Sequence, residues 1–235
     1  MKTPNTGGRL GLILLAALLL LGWNGQAQGT FQNLGFEAAQ NIPAPNVFGD
    51  YMSPSDALPG WSCYIGTNQA SFVTYNLIAL DSAEIGLITL DSITYSTRDF
   101  RPPSDMAMGQ NYLSLQEGYY NGGYYPVSIA QTAQLPANIQ STQFRGTYPL
   151  SVSFNGTIIP LIVLSSQTDY NTYGGDMSQF AGQTGTLAFT SYTHFAYLDA
   201  IRFSTQSVPE PGPLALVTLG GLLLGCRRRT GIKNI

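Results

Sequence analysis

The sequence predicts an all-β fold, a β-sandwich of jelly-roll type built around one core. Three observations predict it. Short runs of alternating apolar and polar residues recur along the chain, bounded by Gly, Pro, Asn or Asp. Two of these runs are separated only by Asn155-Gly156, a pair that accepts positive φ at both positions of a two-residue hairpin turn. No segment keeps helical periodicity for more than about two turns. Many short strands with regular turn signals are the pattern of sandwiches and barrels.

In chain order the runs predict strands near Thr30–Phe36, Trp61–Ile65, Ser71–Asn76, Glu84–Thr89, Tyr112–Glu117 and Val127–Thr132. Further strands are predicted near Thr142–Tyr148, Leu150–Phe154, Thr157–Leu164, Thr186–Thr190 and Ala196–Phe203. Tyr120-Asn121-Gly122-Gly123-Tyr124 reads as a second tight turn, and Asp176 is placed to cap one helical turn ending at Phe180. Trp61 opens an apolar strand after Pro59-Gly60 and is expected in the core.

Both ends read as targeting segments rather than as fold. Residues 1–9 carry Lys2 and Arg9 and no acid, Leu10–Leu21 is an apolar run, and Gly25-Gln26-Ala27 supplies small residues for a cleavage site. That is a secretory signal peptide over 1–27, cut after Ala27. At the other end two prolines at Pro209 and Pro211 stop any regular element. An apolar stretch, Pro213–Cys226, then leads into Arg227-Arg228-Arg229. It is short for a helix that needs about 20 residues to span a bilayer. The arginines would stay on the cytoplasmic side, leaving the domain outside.

The domain is therefore residues 28–207. Six of the ten basic residues lie in the ends, so four arginines face twelve acids within it, with no lysine at all. Such a surface argues against nucleic acid, anionic lipid and acidic polysaccharide as partners, and leaves neutral glycans or divalent cations. Cys63 is the domain's single cysteine, so no internal disulfide can form. Its apolar neighbours mark it as a buried thiol rather than a reactive one.

Pro209-Glu210-Pro211, the short apolar helix and the Arg227–Arg229 cluster, in that order, resemble the PEP-CTERM sorting signal of Gram-negative bacteria. The resemblance covers Val208 to about Arg229, and the segment is taken as 208–235. It implies recognition and tail processing by an exosortase after passage through the secretion machinery. It further implies an intermediate anchored in the inner membrane through the C-terminal helix, then release to the cell surface or extracellular matrix. Within the domain, Asn33-Leu34-Gly35-Phe36-Glu37, Asn111-Tyr112-Leu113-Ser114-Leu115-Gln116 and Tyr197-Leu198-Asp199-Ala200-Ile201 resemble, in order, the galactose-binding-domain-like jelly rolls. Those include many carbohydrate-binding modules, as well as exported PEP-CTERM proteins without assigned activity. The resemblance implies a structural Ca2+ held by Glu37 and Asp199, with a capping or salt-bridging role as the alternative. The family often has a second acid after the last-strand Asp, where this chain has Ala200.

Glycan binding needs exposed aromatic faces beside hydrogen-bonding side chains. Tyr119, Tyr120, Tyr124 and Tyr125 around one turn, and Tyr170 and Tyr173 in a second polar stretch, are the candidates. Catalytic residues are not expected. His194 is the single histidine, which excludes a histidine-based metal cluster, and no nucleophile elbow, metalloprotease or phosphate-loop motif occurs. Asn155-Gly156-Thr157 matches a glycosylation sequon but is explained by its turn. The sequence thus reads as an exported, non-catalytic surface or matrix protein with a domain suited to neutral polysaccharide. A purely structural matrix component without ligand is the alternative, and a glycoside-active enzyme the second.

Overall fold

Alternation in the sequence becomes alternation in burial. The structure, a computed structural model, describes residues 29–45, 47–92, 106–192 and 195–209. The first half contributes β1 (Asp50–Met52), β2 (Ser62–Ile65), β3 (Asn68–Gln69), β4 (Val73–Tyr75), β5 (Glu84–Thr89), β6 (Asn111–Gln116), β7 (Gly118–Tyr120) and β8 (Gly123–Tyr125). The second half contributes β9 (Val127–Gln134), β10 (Ser141–Gly146), β11 (Ser151–Phe154), β12 (Thr157–Ile159), β13 (Leu161–Ser166), β14 (Asn171–Asp176), β15 (Thr184–Ser191) and β16 (Ala196–Ser204). A four-residue helix α1 (Pro54–Ala57) and a 3-10 turn at Ser178–Phe180 are the helical pieces of the described residues. In β15, Gly185, Leu187, Phe189 and Ser191 are buried while their neighbours are more open, as a strand with one face on a core requires.

The strands form a sandwich. One sheet has eight strands in the order β1-β4-β5-β6-β16-β10-β14-β13, the other six in the order β12-β11-β15-β9-β2-β3, and β7-β8 is a separate ribbon. All pairings are antiparallel except β4 with β5. The inner faces share one apolar cluster drawn from both sheets, including Leu87, Leu113, Phe144 and Leu198 from the larger and Cys63, Ile129, Phe154 and Phe189 from the smaller. Burial pushes the Cys63 thiol up to about 12, so it stays protonated and inert, in keeping with its apolar neighbours.

β5 and β6 are buried on both faces. A second apolar layer, with Ile88, Met106, Tyr112, Tyr170 and Tyr197, covers the outer face of the large sheet there. This explains the unbroken run Ile85–Ile88 of β5, which does not alternate.

The structure corrects several expectations. Residues 30–36 form turns rather than a strand: Asn33 and Phe36 sit at φ of 50° and 59°, outside the extended region. The predicted strand Thr157–Leu164 breaks at Pro160 into β12 and β13, which belong to different sheets, because proline cannot donate to a ladder. Residues 171–176, read as a polar loop, are strand β14. The two predicted turns form as expected. Asn121 and Gly122 sit at φ of 47° and 83° between β7 and β8, and Asn155 and Gly156 at 49° and 78° between β11 and β12. Asp176 accepts from the Ser178 N–H (2.8 Å) at the predicted helical turn.

No helix of the described residues is long and apolar enough to cross a membrane. The expected signal peptide with Ala27, and Glu210, Pro211 and Arg227–Arg229 of the expected sorting signal, lie outside the described residues, as does His194. Pro209, the last described residue, is exposed.

Candidate functional site

The turn at 33–38 is built by side chains that hold its irregular backbone. Trp61, in the core, donates its indole N–H to the Asn33 carbonyl (3.0 Å), and the Asn33 amide oxygen accepts from the Ala38 N–H (3.0 Å). The Ile201 N–H donates to the Leu34 carbonyl (3.1 Å), which ties the turn to β16. The opening turn and the closing strand thus lie side by side.

Glu37 and Asp199 meet at this junction. β16 pairs with β6 only from Ala196 to Leu198 and then separates from it at Asp199. Met108, just ahead of β6, donates its N–H to one Asp199 oxygen (2.6 Å), while the other, Oδ1, is buried with no hydrogen-bond partner among the described residues. Glu37 accepts from the Asn111 N–H (2.8 Å) and from the Asn111 amide (3.3 Å). Ala200 follows at a φ of 55°, an uncommon conformation for a residue with a Cβ, where the register with β10 slips. Arg145 stands opposite Asp199 across the β10–β16 ladder and donates to the Met106 carbonyl (3.1 Å).

Burial lifts the Asp199 carboxyl to about 6. The backbone N–H groups of Met108 and Ala200 and the Arg145 charge pull it back, and the Glu37 charge adds to the rise. Beside the pair lies an open cleft of about 480 Å³, lined by Asn33, Gly35, Glu37, Met108, Ala200 and Arg202 among others. The backbone strain and the orphaned oxygen concentrate at one place, which is where functional sites store them. Among the described residues no three His, Cys, Asp or Glu side chains cluster, so the acids present are a pair.

The six candidate tyrosines divide sharply. Tyr119 and Tyr124 sit opposite each other on the β7–β8 ribbon, 66% and 43% exposed, with rings edge to face at 5.4 Å. The Tyr124 hydroxyl is held above its usual value by partial desolvation, then by the nearby Glu117 and Asp81 carboxylates. Tyr120 and Tyr125 are half-buried and pack against the core. A Cβ on Gly66 or Gly123 would strike the Tyr125 ring at 2.9 or 2.6 Å, so both glycines make room for it. The expectation that Tyr170 and Tyr173 offer faces to a ligand is corrected, because both are buried. Tyr173 stacks on Phe144 (5.4 Å) and Tyr170 lies under the Arg145 guanidinium (5.5 Å). Tyr173 within β14 joins the main core and Tyr170, just ahead of it, joins the outer apolar layer, a fate the Gly-Gly pair of β14 disguised.

Sequence reasoning also missed a polar cleft of about 380 Å³ between the turn at Thr147–Tyr148 and the loop Gln167–Asn171. Its exposed aromatic is Tyr148. One signal for it was available: Tyr148-Pro149 breaks the alternation between β10 and β11.

No family model matches the chain, and no curated protein matches it. Among solved structures it is similar to a family 11 carbohydrate-binding module from Clostridium thermocellum, solved with a β-1,3-1,4-mixed-linked tetrasaccharide. The two are 10% identical with a TM-score of 0.29, over 70% of this chain and all of that one. A score that low carries no inference about ligand or site.

Proposed function

We propose that this chain is an exported, non-catalytic surface or matrix protein whose jelly-roll domain holds neutral polysaccharide on the β7–β8 ribbon. The exposed Tyr119–Tyr124 pair carries the reading: two aromatic rings on a two-stranded ribbon, beside the carboxylates of Glu117 and Asp81. Aromatic faces cover the apolar side of a sugar ring, and carboxylates accept from its hydroxyls. A domain with twelve acids and four bases disfavours an acidic chain there and tolerates a neutral one.

Delivery runs through the signal peptide and then through Pro209-Glu210-Pro211 and Arg227–Arg229, the features that would engage the exosortase. One experiment tests both halves. The full chain is expressed in an exosortase-bearing host, and the processed protein is collected outside the cell and titrated with neutral polysaccharide. The double substitution Tyr119→Ala with Tyr124→Ala is expected to leave processing intact and weaken binding at least about tenfold, or about 1.4 kcal/mol. A wild-type tail that stays uncut sinks the sorting route. Equal binding by the variant sinks the tyrosine platform.

A structural Ca2+ at Glu37 and Asp199 is the cofactor we propose. The buried, unpartnered Asp199 Oδ1 supports it, because an orphaned carboxylate oxygen beside a second carboxylate is the donor set a hard cation takes. Calcium accepts about 6–8 oxygens, so backbone carbonyls and water would complete the shell. Calcium at about 100 times its dissociation constant is expected to stabilise the domain by about 2.7 kcal/mol. For a domain of this size that raises the unfolding midpoint by roughly 5–10 °C. The gain should vanish in Asp199→Asn and shrink as pH falls below about 6, where protons compete for the same oxygens. An unchanged melting curve with calcium or chelator overturns the site.

A further inference from the structure

The lateral edges of the two sheets differ in how they meet solvent. β1 and β12 have three residues each and β3 has two, lengths that blunt an edge. β13 has six, Leu161–Ser166, and is the last strand of the large sheet. Pro160 joins it directly to β12, the last strand of the small sheet, so an edge of each sheet that is unpaired among the described residues lies on one flank.

This flank is apolar and uncharged. From Gly146 to Thr168 there is no charged residue, in a domain with an excess of eight acids over bases. Ile158 on β12 is 68% exposed and Val163 on β13 is 50% exposed. Two glycines of β14 brace the flank. A Cβ on Gly174 would meet Leu164 at 2.7 Å, and one on Gly175 would meet Ile159 at 2.5 Å, so β13 and β12 close tightly over β14. The register slips between Val163 and Ser165, which turns Leu164 over Gly174. Leu161 to Val163 stay in regular register with Gly175 to Tyr173.

A strand with a neighbour on one side leaves half of its N–H and C=O groups directed outward, and another extended backbone satisfies them best. Two observations choose that backbone. First, acidic domains repel each other unless they meet where neither carries charge, and this flank is such a place. Second, the chain's own tail, whose Val208 lies against Gly174 of β14, continues in sequence with prolines at 209, 211 and 213, which offer no N–H at alternate positions. That makes it a poor strand partner. An edge that pairs antiparallel with its own copy forms a two-fold contact from a single surface.

We propose that β13 is a homotypic docking edge: two copies pair antiparallel along Leu161–Ser166, joining their large sheets into one and covering Val163 of each. The contact does not involve the β7–β8 tyrosines, so it stands or falls apart from the polysaccharide reading.

The test uses the full chain in a neutral detergent and follows association of differently labelled copies against concentration. Wild type is expected to self-associate. Val163→Lys and Val163→Glu alone should each weaken association at least about tenfold by repelling their own copies. An equimolar mixture of the two should recover it, which a merely unfolded variant cannot do. Unfolding midpoints monitor the fold. If either Val163 variant unfolds, Ser165→Lys and Ser165→Glu, at an exposed position of the same strand, serve as the pair. A wild type that stays monomeric overturns the proposal. So does association unchanged by the single variants, and so does a mixture no tighter than its parts.

Discussion

Phe144→Ala is expected to destabilise the domain by roughly 3–5 kcal/mol. At about 2–4 °C per kcal/mol for this size, the unfolding midpoint falls by about 10 °C. The size of the effect follows from where the ring sits. Phe144 is buried on β10, stacks on Tyr173 of the neighbouring β14 (5.4 Å, 25°), and meets Phe189 of the opposite sheet edge to face (5.3 Å, 86°). Phe189 in turn meets Trp61 (6.2 Å), and Trp61 meets Phe36 (6.0 Å) in the turn that carries Glu37. One line of rings thus crosses the sandwich and ends beneath the proposed calcium site. Removing Phe144 from this line leaves a cavity that β-sheet backbones on both sides cannot collapse to fill. The domain should also bind calcium less tightly, because the Trp61 bond to Asn33 loses its backing. By contrast, Tyr119→Ala removes an exposed ring and should stay within about 0.5 kcal/mol of wild type. Thermal unfolding of the two variants side by side checks the ordering. A Phe144→Ala midpoint within the range of Tyr119→Ala would mean that the sheets are not coupled through this line.

What could be read from residues alone was whatever local chemistry decides. Asn155-Gly156 forms its turn because positive φ at two positions in succession is a property of those two residues. Trp61 and Cys63 alternate inward because a strand has period two. The misses are places where tertiary contact decides. Asn171-Thr172-Tyr173-Gly174-Gly175-Asp176 has the composition of a loop, yet it forms a strand because Leu164 and Ile159 fill the space that two absent side chains leave. Tyr170 and Tyr173 became core residues with it. Glu37 and Asp199 were legible as a pair only through a family resemblance, since 162 positions separate them and no local pattern joins them. The Asp199 oxygen without a partner could not be foreseen, because it depends on β16 leaving β6 at that residue. Glu84 is the clearest case. In sequence it is one acid among twelve at the head of an apolar strand. In the fold it is buried.

That burial makes stability depend on pH in a defined direction. Glu84 stands opposite Gln116 in the β5–β6 ladder, and its carboxyl accepts from the Ala79 N–H (3.0 Å). Gln116 donates its amide to the Ala79 and Ser82 carbonyls (2.6 and 2.7 Å), while its own amide oxygen is buried without a partner among the described residues. Burial raises the Glu84 carboxyl to about 8, against a smaller lowering by the Ala79 bond. The folded state therefore holds a proton that the unfolded chain releases near 4.5. The stability from this proton is complete below about pH 4.5 and is lost as pH rises through 8, on the order of 3–5 kcal/mol in all. Asp199 adds a similar but smaller loss that ends by about pH 7, so most of the fall between 6 and 8 belongs to Glu84. Glu84→Gln carries no proton to lose. It keeps an acceptor for the Ala79 N–H and brings an N–H donor of the kind the Gln116 oxygen lacks. Its unfolding midpoint is expected to stay nearly level from pH 6 to 8.5 while that of wild type falls, with the curves converging in acid. Curves that run parallel across that range would mean that Glu84 is already ionised in the folded domain at pH 6, and would remove Glu84 as the source of the pH dependence.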